Sequence, residues 1–100
     1  MSTLEINSPG TAASSVQVDD LELSVDLADG RPIVVPIAWF PRLAHGSPTE
    51  RAKWRIIGGG HGIHWPDLDE DISVESLLTG RRSRESDSSL KKWLEIRNVR

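Results

Sequence analysis

Residues 62–73, Gly62-Ile63-His64-Trp65-Pro66-Asp67-Leu68-Asp69-Glu70-Asp71-Ile72-Ser73, place a histidine, a tryptophan and four carboxylates in twelve positions. Such a stretch is either a metal or acid–base site or a structural joint. Chemistry would require His64, Asp67, Asp69, Glu70 and Asp71 to converge, with His61 as a further candidate. His61 and His64 are three apart in a segment that reads as extended, so their side chains face opposite ways. A helix would bring them together, but Gly62, β-branched Ile63 and Pro66 make a poor helix. The run Asp67-Leu68-Asp69-Glu70-Asp71 lacks the central glycine and the distant glutamate of a calcium loop. The joint explains more residues. Trp65-Pro66 closes a strand, Leu68 and Ile72 dip into the core, and the acids stand ahead of a helix whose first N–H groups favour negative charge. Metal-binding or hydrolytic use of His64 and the acidic cluster at 67–71 is the alternative.

Working toward the C-terminus, Ser73 is placed to cap a helix over 74–79, with Glu75 in its first turn. Ile72 and Leu77 occupy the two positions of a hydrophobic staple, and Gly80 suits a left-handed stop. Residues 81–89 are polar and read as a hinge. A helix over 88–97 follows, with Leu90, Trp93, Leu94 and Arg97 on one face. Trp93, Leu94 and Arg97 are therefore candidates for contact with a partner.

Toward the N-terminus, Pro48 opens a helix over 48–53 that Ser47 and Glu50 begin as a capping box. Trp39, Phe40 and Leu43 are spaced for a helical turn at one end of the core. Short strands are expected at 54–58 and 61–65, separated by Gly58-Gly59-Gly60. Residues 16–27 and 31–37 alternate with period two and form a β-hairpin. A loop of Ala28-Asp29-Gly30, with Gly30 left-handed, pairs Val25 with Ile33 and Leu23 with Val35, keeping one face apolar. Pro32 and Pro36 lack N–H groups on the same side, which predicts an edge strand. Residues 1–15, rich in Ser, Thr, Ala, Pro and Gly, read as a disordered tail. The predicted core comprises Leu23, Val25, Ile33, Val35, Trp39, Leu43, Ile57, Ile63, Trp65, Ile72 and Leu77.

One hundred residues, 37% of them apolar and 27% charged, suit one small α+β domain at 16–80 followed by the hinge and helix at 81–100. The fold expected is a small sheet containing an antiparallel hairpin, with short helices and an amphipathic C-terminal helix. The chain has no cysteine, which excludes disulfides and thiolate metal ligands. No apolar run spans a bilayer and no signal peptide opens the chain, so a cytoplasmic location is expected. The glycines at 58–60 are not followed by the Lys-Ser/Thr of a phosphate loop, and nothing pairs a serine with a histidine as in a triad. Net charge is −3. A basic set at Arg81, Arg82, Arg84, Lys91, Lys92, Arg97 and Arg100 is diluted by Glu85, Asp87 and Glu95, so nucleic acid is not the expected partner. No cofactor is expected.

The blocks Trp39-Phe40-Pro41-Arg42-Leu43 and Ile63-His64-Trp65-Pro66 through Ile72 resemble the bacterial family called domain of unknown function 2442, over about residues 16–80. The resemblance implies a small α+β domain with a β-hairpin and no established enzymatic activity. It also implies a neighbouring gene for a second small protein, as in toxin–antitoxin pairs, and it supplies no catalytic residues. The leading expectation is thus a non-enzymatic interaction module with a small protein partner, in which an open sheet edge or the amphipathic helix makes the contact. The capping box carries a test. Ser47→Ala should lower stability by about 1 kcal/mol in a chemical melt. An unchanged midpoint would show that the cap does not form.

Overall fold

The computed structural model describes residues 9–98. Two three-stranded antiparallel sheets share one core. The first has the order β1 (Ala13–Val18), β2 (Glu22–Leu27), β3 (Pro32–Pro36). The second has the order β4 (Arg55–Ile57), β5 (Gly62–Trp65), β6 (Glu70–Ser73). Two single-turn helices, α1 (Pro41–His45) and α2 (Pro48–Ala52), connect the sheets. The helices α3 (Val74–Leu78) and α4 (Asp87–Asn98) follow β6.

The β2–β3 hairpin adopts the expected register. Val25 pairs with Ile33 and Leu23 with Val35. Leu27 and Arg31 close the loop, with Gly30 at φ +93°, a conformation that a Cβ would strain. The Leu27 N–H donates to the Arg31 carbonyl, so alternation along the ladder turns the nitrogens of Pro32 and Pro36 to the open side. β3 is an edge strand, and the prolines remove two of its outward donors.

The capping box is complete. The Glu50 N–H donates to Ser47 Oγ, and the Ser47 N–H donates to the Glu50 carboxylate. Ser73 Oγ likewise accepts the Ser76 N–H at the start of α3. At its end Gly80, φ +74°, forms a Schellman turn: the Arg81 N–H reaches the Ser76 carbonyl and the Gly80 N–H reaches Leu77.

Four expectations need correction. The strand over 16–27 is two strands, because Asp19 Oδ1 accepts the N–H groups of Leu21 and Glu22 and reverses the chain. The tail over 1–15 ends earlier than expected: Ala13–Ser15 belong to β1 and Pro9–Thr11 form a 3₁₀ turn. Residues 1–8 lie outside the described residues. Ile57 is 43% exposed because the β4 register puts Ile56, paired with buried Ile63, on the inner side. Ile33 and Trp39 pack on the core only in part, whereas Val16, Leu27, Ile37, Phe40, Leu68 and Val74 are buried. Last, residues 66–73 are not a direct strand-to-helix joint. Pro66–Asp69 make a tight turn, with Asp69 left-handed at φ +49°, and Glu70–Ser73 return as β6 before α3 begins.

Trp65, Leu68 and Ile72 do anchor the core; Trp65 and Leu68 have no exposed surface. The Trp65 indole N–H donates to the Arg51 carbonyl, 3.1 Å away, so the largest core residue has no orphaned polar atom. Trp65→Ala should cost roughly 3–5 kcal/mol, a large share of the stability of so small a domain. Asp67→Asn, at an exposed turn position, should change stability by less than about 1 kcal/mol. Denaturant melts of both variants would show the order, and equal losses would contradict the anchor role.

Candidate functional site

After Gly80 the chain runs back across the end of the second sheet as a non-helical strap, residues 81–86. The strap is pinned at two points. The Ser83 N–H donates to the Trp39 carbonyl, with the Arg82 guanidinium 4.9 Å above the Trp39 ring. Glu85 receives two hydrogen bonds from the Arg42 guanidinium. This pairing holds the Glu85 carboxyl below the usual carboxylate range. Arg42 also donates to the Asp69 carbonyl at 2.9 Å, which ties the strap to the β5–β6 turn.

Between the strap and β6 lies an open groove of about 380 Å³. One wall is β6 with Ser76. The other is Phe40 with Arg81, Arg82, Ser83 and Arg84. The direction of the backbone groups of β6 follows from a single bond. The Val74 N–H donates to the His61 carbonyl, so with the register Ile63–Ile72 and Trp65–Glu70, residues 70, 72 and 74 turn their peptide groups toward β5. Asp71 therefore presents its N–H and C=O to the outer edge and Ser73 its N–H, the Ser73 carbonyl belonging to the first turn of α3. The Glu70 carboxylate folds back to accept the Asp71 N–H at 3.1 Å. Burial is the main cause that pushes the Glu70 carboxyl up to about 7, and Asp71 and Ser73 stand next to it along the strand.

The residues singled out in the sequence are dispersed. His64 Nδ1 meets Asp71 Oδ1 on the outer face of the sheet. Asp67 pairs with Lys53 at 3.4 Å and Asp69 with Arg42 at 3.4 Å, while Glu70 sits on the inner face beside the groove. Pro66 opens the tight turn and Trp65 is core. Among the described residues, no three His, Cys, Asp or Glu side chains are placed to hold a metal ion. Trp93 lies between the guanidinium groups of Arg42 and Arg97, 5.1 and 4.6 Å from the ring centre. Arg97 also makes a two-point pair with Glu50, and this pair is the chief cause that lowers the Glu50 carboxyl to about 2. Leu94 is half-buried, so the predicted partner face of α4 is turned largely toward its own domain, and Ile96 points outward at 68% exposure. The groove itself was not evident in the sequence. Its trace was the alternation Leu68, Glu70, Ile72, Val74, interrupted by one acid on the inward side.

The sequence profile of a family described as a protein of unknown function (DUF2442) matches residues 13–83. Two solved structures are similar. A protein of unknown function from Rhodospirillum rubrum is 27% identical with a TM-score of 0.66, covering 82% of this chain and 96% of its own. An uncharacterised protein from Chromobacterium violaceum is 24% identical with a TM-score of 0.63, covering 81% of this chain and 74% of its own, and shares the fold. A comparison with curated proteins gives no significant match. No described helix is long and apolar enough to cross a membrane.

Glu70 and Glu50 act on stability with opposite signs. The Glu70 carboxyl is raised from 4.5 to about 7, so its contribution is full below pH 4.5 and is lost as the pH rises to 7. The Glu50 carboxyl is lowered from 4.5 to about 2, so its contribution is full above pH 4.5 and is lost as the pH falls to 2. Stability should therefore peak near pH 4.5–5. Glu70→Gln should flatten the decline between pH 4.5 and 7, gaining on the order of 1 kcal/mol at pH 8 after screening of a partly exposed carboxyl. Melts across pH 2–8 check this, and an unchanged upper limb in Glu70→Gln would refute it.

Proposed function

The chain belongs to the DUF2442 family, and on that premise we propose that it is a non-enzymatic interaction module for a second small protein, in an antitoxin-like role in the bacterial cytoplasm. The observation that carries this reading is the open edge of β6 beside the groove. A sheet edge with outward N–H and C=O groups accepts an extended segment of another chain by adding a strand. The other edges are less suited. Pro32 and Pro36 remove donors from β3, β4 is only three residues long, and β1 lies beside β4 and α2. The pair Arg42–Glu85 holds the strap at the side of the groove, so that wall of the acceptor site is fixed in place.

The test compares two edges with one chemistry. Asp71→Pro removes an outward N–H from β6, and Val34→Pro does the same on β3, where Val34 is 50% exposed. In affinity capture from the native host, wild type and Val34→Pro should retain the same small protein in stoichiometric amount. Asp71→Pro should lose it while melting close to wild type. A partner retained equally by Asp71→Pro would rule out strand addition at β6.

A further inference from the structure

We infer that the strand accepted by β6 is an acidic one, whose carboxylates are read by Arg81, Arg82 and Arg84 across the groove. The inference rests on the interaction-module reading and specifies its partner chemistry. Arg31, Arg42, Arg51 and Arg97 each meet a carboxylate within 3.4 Å or less. Among the described residues, no carboxylate forms an ion pair with Arg81, Arg82 or Arg84, although all three line the same groove. Arg82 lies over the Trp39 ring, which leaves the edge of its guanidinium free of any carboxylate, and a planar guanidinium without a carboxylate partner offers a fork of donors that fits one with two parallel hydrogen bonds. The opposite wall supplies the Asp71 carbonyl and the N–H groups of Asp71 and Ser73. An extended segment lying between the walls would pair its main chain with β6 and present alternate side chains to the arginines.

The acids already in the groove are engaged inside the domain. Asp71 is held by His64, and Glu70 Oε1 takes the Asp71 N–H. Glu70 thus occupies, from within, the donor that an incoming carbonyl needs. Once ionised it also adds a negative charge that repels an acidic ligand, so Glu70 is a competitor that the ligand must displace.

The probes are three capped hexapeptides in which Thr alternates with Glu, Gln or Lys, titrated into the full chain labelled with ¹⁵N. The Glu peptide should bind, protect the amides of Asp71 and Ser73 from exchange, and weaken as salt is added. Arg81→Ser combined with Arg84→Ser, both exposed positions, should reduce its affinity at least tenfold with the melting temperature unchanged. Glu70→Ala should tighten it severalfold. Equal binding of the Gln or Lys peptide would overturn the acidic preference while leaving strand addition at β6 in place. Shifts at the arginines without protection of Asp71 and Ser73, or the same shifts with inorganic phosphate, would show a simple anion patch and overturn the inference. Binding by none of the peptides would overturn it as well, and the native-host capture would then judge the interaction module independently.

Discussion

The buried guanidinium of Arg51 ties the β1–β2 turn to the two helices that link the sheets. Its Nε and Nη2 donate to the carbonyls of Leu43 and Ala44 at the end of α1, and Nη1 reaches Asp20 in the β1–β2 turn. Its own carbonyl accepts the Trp65 indole N–H from β5. A single-turn helix such as α1 has more orphaned carbonyls than internal bonds, so it persists only where another group satisfies them. A charge 7% exposed is tolerable only because each of its three nitrogens has an acceptor. The side chain thus ties the first sheet to both linking helices, and the carbonyl of the same residue ties them to the central strand of the second sheet.

A second, partly buried arginine plays the same part on the other side of the core. Arg42 holds Glu85, the Asp69 carbonyl and one face of Trp93, so it spans the β5–β6 turn, the strap and α4. The helix α4 buries none of its residues and is held by Arg42, by the Glu50–Arg97 pair and by rings stacked on guanidinium groups. Such contacts position an element without burying much area, and they weaken with salt. The groove between β6 and the strap exists because this polar framework keeps residues 81–86 at the side of the sheet.

The local elements were legible wherever a residue's role depends on its near neighbours. Gly30 and the alternation on either side of it fixed the β2–β3 register, Pro32 and Pro36 marked an edge, and Ser47–Glu50 and Ser73–Gly80 marked helix ends. β6 was hidden because Glu70 stands where an apolar residue would complete the inward series of Leu68, Ile72 and Val74. The β1–β2 turn was hidden for a related reason. The phase of the alternation changes between Val18 and Leu21, and what fills the break is an Asp19 side chain bonding to its own backbone rather than a glycine.

By itself the sequence determined the α+β class, the hairpin register, the caps and the choice of Trp65, Leu68 and Ile72 as anchors, since period, turn chemistry and burial of large apolar groups act over a few residues. Tertiary structure alone decided the roles of the charged residues. His64, Asp67, Asp69 and Glu70 look like one cluster in the chain, yet they pair with Asp71, Lys53, Arg42 and a backbone amide in four different directions. Arg81, Arg82 and Arg84 look like a solvated run, yet they form a wall opposite an open strand. A long side chain reaches partners anywhere within several ångströms, and sequence spacing does not record which elements the fold brings within that reach.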